Sequence, residues 1–441
     1  MISIVFLQES IQKHLLKNKM QLFKNIFSRK SSGSDYVISL DIGTEFVKVL
    51  VFRLDEENQK GIVVGFGKRR QKLRNMISGA VSDINGVIET CRGAIEDAET
   101  MAGVKDVSKA IMGIAGELVK GTTTTVHYER AKPEIRIDMP ELKNIISKVQ
   151  WKAFDRIRKQ LAWETGHNEI DVELINAAIV SVKIDGYRIS DPMGFQGRDV
   201  SISVFNAYAP MMHLGALHKI ADELNLELLS IAAEPYAVAQ SMGTYNNPDF
   251  GAIIIDIGGG TTDVALVRNG GLEGTVMYAL GGRAFTKRLA FSLDLEFDEA
   301  EKLKMKYSFG MLSSEMTEKF DKIFESDCEV WASGLEIALD SFSNYDLLPP
   351  KILLCGGGSG LPGIQRILAK GDWIENMPIS SQPKVSFIQP RDVVNIIDQT
   401  KQLRSPQLVA PMGLANLVLE LTGEEKILSN VLGKAVKIIQ N

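Results

Sequence analysis

GAIIIDIGGGTTDVALV, residues 251–267, decides the fold: an apolar run ends in an acid, Asp256, and opens at once into three consecutive glycines. Such a run bounded by turn residues reads as a buried strand. Glycine has no Cβ, so Gly258, Gly259 and Gly260 let backbone N–H groups come close to a phosphate, and Thr261 and Thr262 add hydroxyls. The same strand–acid–turn–strand design stands far upstream in YVISLDIGTEFVKVLV, residues 36–51, with Asp41 in the place of Asp256. Alone, each unit is only a tight turn at a strand end. Twice in one chain, it indicates a duplicated domain whose two loops grip one triphosphate from opposite sides. Asp41 and Asp256 are then placed to hold a magnesium ion through its retained waters.

Two further stretches work outward from this pair. CGGGSGLPG, residues 355–363, lies between an apolar run and a helical pattern, so backbone at Gly356, Gly357 and Gly358 has room for a nucleoside. A plain strand-to-helix turn explains it as well. AAEPYAVAQS, residues 232–241, puts Glu234 before Pro235 where a helix begins, which is also common punctuation.

Taken in order, acid-turn, Glu-Pro, DIGGGTTD and GGGSG resemble the actin, Hsp70 and sugar-kinase superfamily. That resemblance implies an α/β, two-lobed actin-like (ribonuclease H-like) ATPase fold, each lobe built on a mixed five-stranded sheet, with ATP and magnesium in the cleft. It assigns Asp41, with Gly43 and Thr44 of its turn, to the first phosphate loop, and Asp256 with Gly258–Thr262 to the second. Glu234 falls on the connecting helix, ordering an attacking water, and Gly356–Gly358 on the adenosine loop. LGGRAF (280–285) and AEKLK (300–304) fall near the nucleoside, which adds Gly281, Gly282, Glu301 and Lys304; an exposed Glu/Lys pair on a helix is otherwise a solvated face.

DGYRISDPMGFQG, residues 185–197, resembles the small SHS2 (1C) subdomain of the bacterial FtsA family, as do IMGIAGELVKG (111–121) and IDMPELKNIISKV (137–149). SGAVSDINGVIE (78–89) and LVAPMGLANLVLEL (408–421) agree, so the likeness runs from about Tyr36 to Leu421. It implies an ATP-binding scaffold that forms filaments of itself and links the division ring of a tubulin homologue, FtsZ, to the cytoplasmic membrane. FtsZ contact is expected through 286–345, other division proteins through 107–205, and lipid through terminal amphipathic helices; nucleic acid is not an expected partner. At most a slow ATPase is implied. Two departures stand out: Thr286 is followed by Lys287 and Arg288 where the family has an acid, and only Thr422–Glu425 precede the last amphipathic segment. The pilus protein PilM shares the pattern and is the nearest rival. A sugar or acetate kinase needs an acceptor site and usually a carboxylate base, and no second acid cluster fits that role. A chaperone of the Hsp70 kind needs a substrate domain, which the short tail after Leu421 does not supply.

The expected organisation is a basic tail and linker at 1–35, a first lobe (1A) at 36–106 and 206–245, and a small α+β unit at 107–205 attached to that lobe. The second lobe (2A) covers 246–285 and 346–422, a helical 2B subdomain 286–345, and a C-terminal amphipathic helix 423–441. Residues 1–30 carry six Lys/Arg against one acid, Glu9, and either form amphipathic helix or stay a tail; Met20 is an alternative start. Leu428, Val431, Leu432, Ala435, Val436 and Ile439 share one helical face, suited to lipid or to packing on the second lobe. At 441 residues the chain exceeds one ordinary core. Its 45% hydrophobic and 24% charged content is globular, and a net charge of -5 argues against a dedicated nucleic-acid binder. Cys91, Cys328 and Cys355 are widely spaced, giving neither a disulfide framework nor a zinc motif. With no spanning run and no convincing signal peptide, the expected location is cytoplasmic, peripheral on the inner face of the membrane.

Overall fold

A computed structural model describes residues 36–422, apart from 56, 117, 167–170, 190, 244–246, 248, 343–346, 371–372, 374–376 and 380. The expected tail 1–35 and helix 423–441 lie outside the described residues.

The first unit opens with β1 (Tyr36–Ile42), β2 (Phe46–Asp55) and β3 (Lys60–Arg70), followed by a short hairpin, β4 (Met76–Ile77) and β5 (Ala80–Val81). Helix α1 (Ile84–Ala102) and β6 (Lys109–Ile114) come next. Asp83 caps α1 by accepting from the Gly86 N–H, and Gly103 ends it in the left-handed conformation. The helix lies close on β3 because the strand presents glycine: a Cβ on Gly67 would come within 1.9 Å of the Ala94 carbonyl oxygen.

An inserted module then runs through β7 (Lys120–Glu129), α2 (Met139–Thr165), β8 (Val172–Ile184), β9 (Tyr187–Ile189) and β10 (Asp199–Pro210). The chain returns by α3 (Met211–Glu223), β11 (Glu227–Ala233) and α4 (Glu234–Gln240). The second copy is β12 (Ala252–Ile257), β13 (Thr262–Arg268) and β14 (Gly271–Tyr278). It continues into three helices, α5 (Gly282–Leu293), α6 (Phe297–Ser308) and α7 (Ser314–Asp340). Last come β15 (Lys351–Cys355), α8 (Pro362–Lys370), β16 (Lys384–Phe387), β17 (Ile396–Asp398) and α9 (Val409–Thr422).

Two sheets organise these elements. The first has the order β11-β6-β1-β2-β3-β17, and the second β16-β15-β12-β13-β14-β7-β10-β8-β9. In each, a parallel pair (β6 with β1, β15 with β12) adjoins an antiparallel hairpin (β1–β2, β12–β13), so the duplication in sequence is a duplication in topology. Each sheet has its own core, and β12 divides its side chains between them. Ile253, Ile255 and Ile257 join the core under α7, and Ala252 and Ile254 join that of the first lobe. A central strand buried on both faces needs such an unbroken apolar run.

Three expectations about organisation are corrected. The five-stranded first sheet has a sixth strand, β17, on the free edge of β3. Residues 346–422 do not stay with the second lobe: β17 returns to the first sheet, and α9 packs on α4 and β1, where Ser39 Oγ donates to the Pro411 carbonyl at 2.6 Å. The α9 helix is apolar nearly all round, and such a helix is stable only when enclosed. Residues 107–205 are not one module hung on the first lobe. Lys109–Ile114 is a strand of the first sheet, and β7 pairs with β14 at Gly121–Thr275 and Thr122–Gly274, fusing the module to the second sheet. The reason is edge satisfaction, since unpaired N–H and C=O groups along β14 need a neighbour. Asp185 and Gly186, both at positive φ, turn β8 into β9, as Asp-Gly does in tight hairpins.

Candidate functional site

Both acid-turns are closed by the same hydrogen bond. The Gly43 N–H donates to the Phe46 carbonyl at 3.1 Å, and the Gly258 N–H to the Thr261 carbonyl at 2.9 Å. These turns face each other. A Cβ on Gly260 would sit 2.6 Å from Thr44 Oγ1, and one on Gly259 would sit 2.8 Å from the Glu45 Cβ, so any side chain there forces the loops apart. Beside them opens a cavity of about 630 Å³, within the range of small-molecule sites.

Of the residues singled out in sequence, Asp41, Gly43, Thr44, Glu234, Asp256, Gly258, Gly259, Thr261, Gly282, Glu301, Lys304 and Gly356–Gly358 line this one cavity. Gly260 and Gly281 shape it from behind, at the loop contact and against the Gly258 carbonyl respectively. Thr262 is corrected: its hydroxyl donates to the Leu280 carbonyl at 2.6 Å and accepts from Trp331 Nε1 at 3.0 Å, so it anchors the second core instead of offering itself to phosphate. Glu301 and Lys304 are not a solvated face. Lys304 Nζ lies 2.7 Å from Glu301, donates to the Gly282 carbonyl at 2.9 Å and is 7% exposed, which ties α6 to the start of α5.

Charge in the floor of the cleft centres on Lys48, which sequence reading passed over. Lys48 Nζ donates to Asp41 Oδ2 at 2.7 Å. Burial alone drags its pKa down, but Asp41 above all, with Glu234 and Asp256, carries the net shift upward and keeps it a cation. The buried acids around it are also raised, which favours their neutral form. Burial, then the nearby Asp41 charge, holds Glu234 well above the usual carboxylate range. Asp256 is raised to about 6 by burial despite the opposing pull of Lys48. Asp263 lies directly across the hairpin from Asp256 and is raised by burial and by that neighbour. Lys68, 2.8 Å from Gln407 Oε1 and over the Phe46 ring, is lowered to about 8 by burial and by Lys48. Sequence did hold a signal for Lys48: it follows Asp41 by seven positions and pairs with it in register, as Asp263 does with Asp256.

A third set spans the lobes. Glu45, in the first turn, bonds Arg70 of β3 and Arg283 of α5, each at 2.6 Å, and Arg70 reaches Asp298 of α6 at 2.8 Å. Arg283 also donates to the Met76 carbonyl at 3.1 Å. Only the tertiary fold brings these charges together, because more than two hundred positions separate Arg283 from Glu45.

The donor set fits a magnesium polyphosphate. Asp41 Oδ1 and Asp263 Oδ1 are buried without a hydrogen-bond partner. Gly356, at φ 83°, brings its backbone so near that a Cβ would lie 2.1 Å from Asp256 Oδ1. Among the described residues no group of three or more acids, cysteines or histidines is arranged to hold a metal directly. No described helix is long and apolar enough to cross a membrane.

Comparison with known proteins adds to this geometry. The family model described as "Cell division protein FtsA" matches residues 253–413. The cell division protein FtsA of Neisseria meningitidis is 28% identical over 284 residues, 64% of this chain; the match spans 63% of that relative, less than two thirds of its length. FtsA of Bacillus subtilis is 23% identical over 387 residues, 83% of each chain. Among solved structures, the PilM-PilN type IV pilus biogenesis complex aligns with a TM-score of 0.61 at 16% identity, covering 87% of this chain and 98% of that one. At that identity the likeness speaks for the actin-like fold alone.

Proposed function

We propose that this chain, which matches the FtsA family model over residues 253–413 and resembles FtsA proteins at 23–28% identity, is a cell-division scaffold whose cleft binds ATP with magnesium and whose closed form assembles into filaments. The observation that carries the nucleotide reading is the pair of facing turns over Asp41, Lys48, Asp256 and Glu234. In this reading, backbone at Gly43–Thr44 and Gly258–Thr261 binds phosphate oxygens from two sides, and Lys48 balances their charge. Asp41 and Asp256 would hold magnesium through its waters, and the ion supplies neutralisation of the polyphosphate. Gly356–Gly358, Gly282 and Lys304 frame the nucleoside. Glu234, whose proton affinity burial and the Asp41 charge raise, orders the attacking water, and hydrolysis is slow at most.

Within the same reading, the filaments join an FtsZ-like ring to lipid. The helical segment 286–345 contacts the ring, 107–205 contacts other division proteins, and terminal amphipathic segments meet the cytoplasmic membrane. Titration calorimetry with magnesium and ATP tests the core of it. Asp256→Ala is expected to weaken binding at least tenfold, a loss of about 1.4 kcal/mol or more, while Asp55→Ala, at the far end of β2 and outside the cavity lining, leaves it unchanged. Equal affinities for wild type and Asp256→Ala would sink the assignment.

A further inference from the structure

Helix α2 (Met139–Thr165) packs one side on the inserted sheet through Leu142, Ile145, Ile146, Val149, Ala153, Ile157 and Leu161. A solvent-facing flank of the helix carries Lys152, Arg156, Lys159 and Trp163, all exposed, at spacings of four, three and four that align them on one face. Lys148 stands beside this stripe, its ammonium over the Tyr128 ring. One acid, Asp155, intervenes, and it is bonded to Lys159 at 2.7 Å. At the end of the row Trp163 is 85% exposed, the second-highest exposure among the described large apolar side chains, and Trp151 at the flank is 52% exposed. An indole left in water beside a row of cations has a cost and no structural use.

We propose that this face of α2 is a docking surface for an anionic lipid bilayer, with Trp163 at headgroup level and Lys152, Arg156 and Lys159 against the lipid charge. Charge complementarity selects a polyanion. The form of the surface selects lipid: the stripe is the convex ridge of a single helix, about 17 Å long at 1.5 Å per residue, and it meets a plane more readily than a peptide, which needs a groove. Tryptophan, apolar with one polar edge, is the side chain that gathers where headgroups meet hydrocarbon. Nucleic acid would also stack on indole, and a single-stranded oligonucleotide is therefore the competing arm of the test below. The surface adds a contact on the folded body to any made by the terminal segments, and the inference does not depend on nucleotide.

The tryptophans make it testable. The chain has four; Trp331 and Trp373 are buried, and neither 1–35 nor 423–441 contains one. Emission of the full chain is followed during titration with phosphatidylglycerol vesicles, with and without brominated acyl chains. The expected result is a blue shift and bromine quenching. Trp163→Phe should remove most of both while melting as wild type does, and Trp151→Phe should keep them. Lys152→Glu with Arg156→Glu should raise the lipid concentration at half-quenching at least tenfold. Sedimentation with vesicles without any change in emission would overturn the inference and leave attachment through the terminal segments standing. An emission change with an acidic peptide or a single-stranded oligonucleotide, but none with vesicles, would overturn it in favour of that partner.

Discussion

The two acid-turns are copies that differ in the charge facing each acid across its hairpin. In β1–β2, Asp41 faces Lys48 across the hairpin; at the same register in β12–β13, Asp256 faces Asp263. The first pairing is a buried salt bridge, and the second places two carboxyls side by side. Burial raises both acids of the second hairpin toward the neutral form, with the Asp41 charge adding to it at Asp256 and the Asp256 charge at Asp263. Two loops of one design therefore supply complementary electrostatics: a fixed cation from one lobe, and an acid pair from the other that a bound cation can draw into the charged state. This is the asymmetry expected where one ligand of mixed charge is gripped from both sides.

The widest separation between the copies is expected on removing the odd charge from each. Lys48→Ala leaves Asp41, Glu234 and Asp256 without their common cation, and breaking a buried pair in this way costs about 3–5 kcal/mol. Asp263→Asn removes a repulsion instead, and its denaturant midpoint should stay level or rise. If urea unfolding shows both substitutions equally destabilising, the electrostatic distinction between the hairpins fails.

A second test uses pH. Asp256 titrates near 6 in the folded protein, above its ordinary value of 3.8. Between those values the folded state binds more protons than the unfolded one, so stability is highest below about 4 and falls as pH rises toward 6. For this group alone the fall amounts to about 3 kcal/mol. Glu234 and Asp263 act in the same direction. Asp256→Asn should flatten the slope of ligand-free unfolding free energy between pH 4 and 6. A slope identical to wild type would show that Asp256 stays ionised.

The smallest effect sharpens the comparison at the loop tips. The first turn carries Glu45 where the second carries glycine, and Glu45 ties the first lobe to α5 through Arg283 while also holding Arg70. Glu45→Gln should cost about 1–3 kcal/mol, the range for losing charge-assisted hydrogen bonds. A double-mutant cycle with Arg283→Met should give a coupling of about 0.5–3 kcal/mol. Scattering from the ligand-free variant should show a larger radius of gyration. A coupling of zero would mean that loop contact, not charge, holds the cleft.

The sequence by itself determined what lies within one hairpin or one strand–turn–helix unit. The acids at 41 and 256, their glycine turns, the Glu-Pro helix start and the glycine loop at 356–358 were legible because period, turn chemistry and duplication are local. Their order along the chain resembles that of the actin-like superfamily, and that resemblance implied the two-lobed fold. Only the tertiary structure decided which distant elements meet. Lys68, Arg70 and Arg283 belong to no motif that marks them in the sequence, and their roles appear when β3 and α5 are brought to one cleft. Thr262, two residues from the glycine run, reads as a phosphate hydroxyl until Trp331 and Leu280 claim it. The fusion of β7 to β14 and the return of β17 and α9 to the first lobe were hidden for the same reason. Strand edges and apolar helices state in sequence that they need a partner, but which edge or core provides it is settled by pairing and packing across more than a hundred residues, where local pattern carries no information.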